Sequence, residues 1–569
     1  MKKRIICIVM TAILFFAVIT PALAAGGNVP TIIVPGYSSC ELYYNYGQPD
    51  QEQVWPFAAS DAVVETIKDA PNAIYSLACL ALDNCEPAGK AISGGGQRIL
   101  KKMFCDPNGK SLYNVTTYPN KPSISNYAYL KKNAPGDIEE PDLCKRLAGV
   151  IGAENVFVYH YDFRMSTYDC AEELNDFITE IRRYTGCKKV NIFGFSYGGL
   201  VTGSYLSRYK NSAPVNNVVL NVPVLGGTSF AKRFILGEVD FPMGSLIGLL
   251  EFALSSESNM AAVLKGVSLD KIERVTAAFL KDISVLPLNW GSFWDLTTPS
   301  DYNALKPQFL NSKENGELIR KCNIVHNNYM KNYSSTFRQL KNRGAKISII
   351  CNYADHSAFG GSVLNDMLVD ARSASGARTA KVGERFPDSY KPAYTTCRNR
   401  SHCHVAPSMK VDATSAYLPE NTWFIDGQYH GMYTKEPYSF DLVMLLLTTK
   451  KAVDIYTDKK YPQFNYSRAP YRAVTADFNG CNPGYVKADS KTLTIKNPSN
   501  IETILITGVE MDGYSFNLPV NRLLLPGKSM TVTCNGSLPK GHTLMKVSYV
   551  KPTLGKSVTA REFDFVPAK

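Results

Sequence analysis

The sequence predicts an α/β protein in which a parallel sheet covered by helices is followed by a smaller all-β unit. Three observations predict it. From Thr31 to about residue 450, strand-like and helix-like stretches alternate, the order that builds parallel sheets. Between about residues 228 and 343 that rhythm gives way to apolar helical segments. Beyond about residue 465, alternation of period two takes over.

TIIVPG, 31–36, reads as a short buried strand ended by a Pro-Gly turn, and VFVYHYD, 156–162, as another. AEELNDFITEIRRYTG places Leu174, Phe177, Ile178 and Ile181 on one helical face, with Gly186 as its stop. KKVNIFGF is a strand, GGLVTGSYLSRYK a helix and VNNVVLNVPV a strand. The sheet resumes with AKISIICNY, 345–353, and NTWFIDG, 421–427, and the helix PYSFDLVMLLLTTKKAV closes the unit. Within the insertion, FILGEVDFPMGSLIGLLEFAL and VSLDKIERVTAAFLKDI fit two roles, extra core or a mobile cap over a lipid-facing site. The last 85 or so residues (KTLTIKN, ETILITGV, MTVTC, LMKVSYV, REFDF) suggest a small antiparallel β-sandwich of immunoglobulin-like form over 484–569.

The chain has 569 residues, enough for two or three domains. MKKR, an apolar run and ALA make residues 1–24 a secretory signal peptide cleaved after Ala24, which leaves 25–465 for the α/β domain. A secreted or cell-envelope location follows. The net charge of +12 includes Lys2, Lys3 and Arg4 of the leader. The rest is a mild bias that favours anionic lipid or cell-wall surfaces. No dense basic run with interleaved aromatics is present, which argues against nucleic acid as a partner. Of 14 cysteines, Cys7 leaves with the leader, so at least one of the odd remainder is free or pairs outside the chain. Cys79/Cys85 and Cys397/Cys403 are the candidate local bridges. CRNRSHCH, 397–404, reads as a disulfide-closed loop carrying surface histidines, since its spacing fits no usual zinc pattern.

Residues 194–199 read GFSYGG, with a strand before and a helix after. In that setting G-x-S-x-G is a nucleophile elbow, which makes the predicted fold an α/β-hydrolase fold with a helical cap insertion. The glycines allow a turn too sharp for side chains two positions either side of Ser196. A serine hydroxyl needs a base, and the base needs a carboxylate, in the chain order Ser, acid, His. His430 lies in GQYHGMY, between the last strand and the last helix, where that base belongs. Asp355 follows the strand AKISIICNY, and Asp412 stands eighteen residues before His430. Spacing divides the acid between these two. The oxyanion hole needs two backbone N–H groups. Tyr197, after the nucleophile, and Tyr37, in VPGY, are the candidates.

These motifs resemble the lecithin–cholesterol acyltransferase-like lipases. IIVPGYSSCEL is similar to their early strand and oxyanion loop, and YHYDFRMS to their Tyr-Asp-Trp-Arg segment, with Phe163 in place of Trp. GFSYGG replaces their His-Ser-Met-Gly-Gly, NVPVLGGTSFA is similar to Gly-Ala-Pro-x-Gly-Gly-Ser, and VDATSAYLPENTWFIDGQYHG to the segment joining Asp to His-Gly. Val411 and Ala413 stand where glycines are common. The resemblance implies acyl-ester chemistry on lipids and favours Asp412 over Asp355 as the acid. The expected protein is a secreted serine ester hydrolase with Ser196, His430 and Asp412, and no metal or cofactor. Its substrate is a lipid or other acyl ester, with membrane or cell-surface contact through cap or sandwich. The alternatives are an O-acyltransferase using the same site, a serine peptidase, and a non-catalytic surface-binding protein on a hydrolase scaffold.

Overall fold

A computed structural model describes residues 28–56, 100–117, 120, 123–126, 140–236, 286–354 and, apart from short breaks, 363–566. The expected leader, Cys79, Cys85 and Cys397 lie outside the described residues. No helix among the described residues is long and apolar enough to cross a membrane.

Seven parallel strands form the main sheet: β1 (Thr31–Val34), β2 (Val156–Val158), β3 (Val190–Phe195), β4 (Val215–Asn221), β5 (Lys346–Tyr353), β6 (Thr422–Asp426) and β7 (Phe464–Tyr466). Their spatial order is β7-β6-β5-β4-β3-β1-β2, with every pairing parallel. Side chains of a strand alternate between faces, and here neighbours in sequence join different cores. Ile32, Val34, Ile192, Val218 and Leu220 belong to one buried cluster, while Ile33, Phe193 and Val219 belong to the other. Helices α2 (Thr167–Thr185) and α3 (Tyr197–Arg208) cover the first face; α1 (Pro141–Ile151) and α10 (Pro437–Thr448) cover the second. This is why the central strands read as continuous apolar runs rather than alternating ones. Helix α2 starts where the Ser166 hydroxyl accepts the Tyr168 N–H and stops at left-handed Gly186.

The insertion between β4 and β5 leaves with α4 (Ser229–Ile235). It returns through α5 (Gly291–Asp295), α6 (Pro299–Phe309), α7 (Gly316–Ile324) and α8 (Tyr333–Asn342). Trp294, Tyr302, Leu318, Cys322, Tyr333 and Phe337 join the same buried cluster as α2 and α3. The described part of the insertion is therefore core packing. Residues 237–285, the most apolar stretch, lie outside the description. Helix α9 (Ala371–Ser375) follows β5.

Beyond residue 474, nine strands among the described residues form two sheets. Strands β8 (Thr475–Phe478), β10 (Thr492–Lys496), β14 (Ser529–Asn535) and β12 (Ser515–Asn517) build the first. Strands β9 (Tyr485–Lys487), β16 (Gly555–Val566), β15 (His542–Lys551), β11 (Ile504–Met511) and β13 (Leu523–Leu524) build the second. All pairings are antiparallel except β9 with β16. Leu493, Val532 and Phe478 of the first sheet share one buried cluster with Ile506, Met545 and Val547 of the second.

Candidate active site

Ser196 is the junction between β3 and α3. Its backbone has φ 54° and ψ −121°, a region an L-residue occupies only under constraint and at a cost of about 1–3 kcal/mol. The constraint is visible. The Ser196 N–H donates to the Asn221 carbonyl at 3.0 Å, and its own carbonyl accepts from Gly199 N–H at 2.9 Å and Val224 N–H at 3.2 Å. Side chains have no room on either side. A Cβ on Gly194 would stand 2.7 Å from Thr202 Oγ1, and one on Gly198 would stand 2.1 Å from the Val34 carbonyl oxygen. One on Gly199 would meet Pro223 at 2.4 Å. The glycines of GFSYGG thus answer to the tight approach of β1 and of the chain after β4.

His430 sits between β6 and α10, 8 % exposed. Its Nε2 lies 2.7 Å from Ser196 Oγ and its Nδ1 lies 2.8 Å from Asp366 Oδ2. A backbone bond from His430 N–H to the Asp366 carbonyl, 3.0 Å, fixes the two loops together. With Nδ1–H donating to the carboxylate, Nε2 presents its lone pair to the serine hydroxyl. Phe195 packs beside the imidazole, ring centroids 5.3 Å apart.

The carboxylate that meets His430 is Asp366, where the sequence led to Asp412 or Asp355. Asp412 lies elsewhere: it pairs in a short ribbon with Arg378 and caps the turn at Ala413–Ser415. Its Oδ2 accepts from Tyr390 O–H (2.8 Å) and Ala393 N–H (3.0 Å), and its Oδ1 from Thr414 N–H (2.9 Å) and Oγ1 (2.5 Å). Burial pushes its pKa up, but these bonds, Thr414 first, hold it below the usual carboxylate range. Every lone pair it offers is used locally. Asp355 lies outside the described residues. Asp366, which the sequence reading missed, stands in a turn after β5. Its Oδ1 accepts from Leu368 N–H (3.2 Å) and Val369 N–H (2.9 Å), which leaves Oδ2 for His430. The one sequence signal is an Asp followed by two backbone donors, an Asx-type turn, in LNDMLVD.

The two residues expected to supply the oxyanion donors, Tyr37 and Tyr197, are neighbours in the structure. Tyr197 is the first residue of α3, where N–H groups have no intrahelical acceptor. Gly36 lies against the nucleophile: a Cβ there would be 3.4 Å from Ser196 Cβ. The rings of Tyr37 and Tyr197 meet edge to face at 5.2 Å. Tyr161, buried, places its hydroxyl 2.8 Å from the Pro35 carbonyl and 3.1 Å from that of Gly36. In a trans peptide C=O and N–H point opposite ways, so the Tyr37 N–H faces away from Tyr161. Sequence reasoning missed this anchor. Beside it, fully buried Arg164 bonds Asp162 through Nε (3.0 Å) and Nη2 (2.6 Å) and reaches Ser111 Oγ at 3.1 Å. Tyr37, Phe163, Trp55 and Trp290 form an aromatic wall next to the loop, with successive centroids 5.2, 5.4 and 6.0 Å from Phe163.

One histidine of CRNRSHCH departs from the expected surface character. His404 is buried, with Nδ1 2.7 Å from Gln463 Oε1 and Nε2 3.2 Å from the Tyr456 hydroxyl. Both ring nitrogens are engaged. No metal-ligand cluster occurs among the described residues.

Residues 128–240 match the family model described as "alpha/beta hydrolase fold". No curated protein matches the chain. Among solved structures, it is similar to the Bacillus licheniformis lipase BlEst2. The mature form is 12% identical with a TM-score of 0.26, over 52% of this chain and 80% of that one. The propeptide form is 11% identical with a TM-score of 0.24, over 72% and 86%. A carboxylesterase structure from Nitrososphaera gargenis is 10% identical with a TM-score of 0.16, over 36% and 75%. The family match spans α1 to α4 and contains the elbow; with the parallel seven-stranded sheet, it supports an α/β-hydrolase fold.

Proposed function

We propose that the protein is a secreted serine ester hydrolase acting on lipid-like acyl esters, with Asp366 rather than Asp412 as the acid. The observation that carries the reading is the continuous hydrogen-bonded line Ser196 Oγ, His430 Nε2, His430 Nδ1, Asp366 Oδ2. Ser196 Oγ attacks the ester carbonyl as His430 Nε2 takes its proton. Asp366 keeps the proton on Nδ1 and stabilises the imidazolium. The N–H groups of Tyr37 and Tyr197 receive the developing oxyanion. His430 returns the proton to the leaving alcohol, and a water activated the same way releases the acid. The motif resemblance to acyltransferase-like lipases supports an apolar acyl group. Membrane contact through the insertion or the C-terminal sheets, and an immunoglobulin-like form for those sheets, belong to the same proposal.

The test is fluorophosphonate labelling of Ser196 with and without lipid vesicles, together with turnover of p-nitrophenyl esters against peptide amides. Labelling, ester turnover and loss of about 10⁶ in kcat for Ser196→Ala are expected. Unlabelled Ser196 would favour a binding protein on a hydrolase scaffold, and amide preference a peptidase.

A further inference from the structure

The turn that carries Asp366 is held from outside by the chain leaving β4. The turn is closed by Asp366 N–H to the Val369 carbonyl (3.1 Å) and Ala371 N–H to the Leu364 carbonyl (2.8 Å). Four residues after the acid, Asp370 accepts from Ser229 N–H (3.1 Å) and Ser229 Oγ (3.2 Å) at the start of α4. The Thr228 hydroxyl donates to the Leu368 carbonyl at 2.6 Å, and Gly226 N–H to the Ser373 carbonyl at 3.1 Å. The same four-residue strap is gripped on its other side by the returning insertion. Thr228 N–H donates to the Leu296 carbonyl at 2.7 Å. Gly227, at φ +79°, passes so close that a Cβ would stand 2.1 Å from the Thr297 carbonyl oxygen.

We propose that Thr228 and Asp370 are positioning residues: they set the height of the Asp366 turn against His430, so that the acid's alignment depends on how the base of the insertion is docked. Neither touches the reacting atoms. The physical reason is that the bonds of Asp366 itself are local, made within its own turn or to the loop of His430. One oxygen is tied within a five-residue turn and the other must meet Nδ1, so the register of the turn comes from its neighbours. Leu368, the tip of the turn, is 42% exposed and supplies little packing to hold it. Asp370 is buried, and its bonds to Ser229 are what compensate a carboxylate in that position. The inference rests on the reading of Asp366 as the acid.

The experiment measures kcat and KM for p-nitrophenyl butyrate in Thr228→Val, Asp370→Ala and Asp370→Asn, each alone and combined with Asp366→Asn. Melting temperatures and fluorophosphonate titration count the folded, competent sites. Alone, Asp370→Ala is expected to lower kcat on the order of 10- to 100-fold with KM within about twofold, as a displaced catalytic group does. Asp370→Asn, which keeps an acceptor for the Ser229 hydroxyl, recovers part of that loss. In the Asp366→Asn background the further loss shrinks to under about threefold, because residues acting through one group are non-additive. The same fold-loss in both backgrounds, or unchanged kcat in both Thr228→Val and Asp370→Ala, overturns the proposal. If Asp370→Ala fails to fold, the near-isosteric Thr228→Val carries the same comparison. A wild-type chain with no labelled Ser196 and no turnover overturns the underlying hydrolase reading instead.

Discussion

Asp366 and Asp412 are chemically the same and equally out of reach of water, at 1% and 0% exposure. Each accepts two backbone N–H bonds. They differ in what is left over. Asp412 gives Oδ1 to Thr414 and Oδ2 to Tyr390 and Ala393, and so closes a corner of the fold. Asp366 gives one oxygen to its own turn and the other to an imidazole. A carboxylate that serves a base must be incompletely used by its own surroundings. Burial does not distinguish the two; the uncommitted oxygen does.

The strongest way to sharpen this contrast is to remove the imidazole. His430→Ala should lower kcat by about 10⁶, and adding Asp366→Asn to it should cost almost nothing more, since the acid acts only through the base. Asp412→Asn added to the same variant should change the melting temperature and not the residual rate. Next in size is the elbow itself. Gly198→Ala forces a methyl to within 2.1 Å of the Val34 carbonyl and 2.4 Å of the Pro35 carbonyl. Both are backbone, so the oxyanion loop must move, and urea unfolding should show a loss of about 3 kcal/mol with kcat lowered as well. A smaller effect is expected at Asp412→Ala, which strands buried donors from Thr414, Ala393 and Tyr390. A stability loss on the order of 2 kcal/mol, with kcat per folded molecule unchanged, is the expected outcome.

The last effects are opposing pH slopes from two buried groups at the foot of the insertion. Burial raises Asp295 to about 6, even though Ser166 and Thr167 donate to its Oδ2. The folded chain holds that proton more tightly than the unfolded one, so stability falls as pH rises from about 4 through 6. Burial lowers His326 to about 4. The folded chain holds that proton less tightly, so stability is lost as pH falls from about 6.5 through 4. Urea midpoints between pH 4 and 7 should lose the first slope in Asp295→Asn and the second in His326→Gln. Neither slope belongs to Asp366 or Asp412, and their persistence in Asp366→Asn and Asp412→Asn would keep the comparison clean.

The contrast also shows what the sequence could carry. The parallel sheet, its helices and the places of Ser196 and His430 were legible because each depends on local pattern: apolar runs between turn signals, and glycines where the elbow or loop needs them. The C-terminal strands were legible through period two. The acid was not. Asp355, the candidate after β5, lies outside the described residues, and Asp366 reaches His430 from a turn whose Leu368 carbonyl accepts from Thr228. That is a contact between segments 140 residues apart, and no spacing rule encodes it. Asp412 attracted the reading because it precedes His430 in a family-like segment, but its local bonds consume it. Tyr161 was invisible for a related reason, since its value lies in two carbonyls of the VPG turn 125 residues away. The buried His404 was read as a surface residue because CRNRSHCH is polar; Gln463 and Tyr456, distant in sequence, satisfy it.

The most direct test of the central claim is the pair Asp366→Asn and Asp412→Asn, assayed for kcat on a soluble p-nitrophenyl ester after titration of folded sites. The account predicts a loss of about 10⁴ for Asp366→Asn, from a misdirected imidazole tautomer, and less than about tenfold for Asp412→Asn. A loss of about 10⁴ at Asp412 with Asp366 near wild type would contradict it.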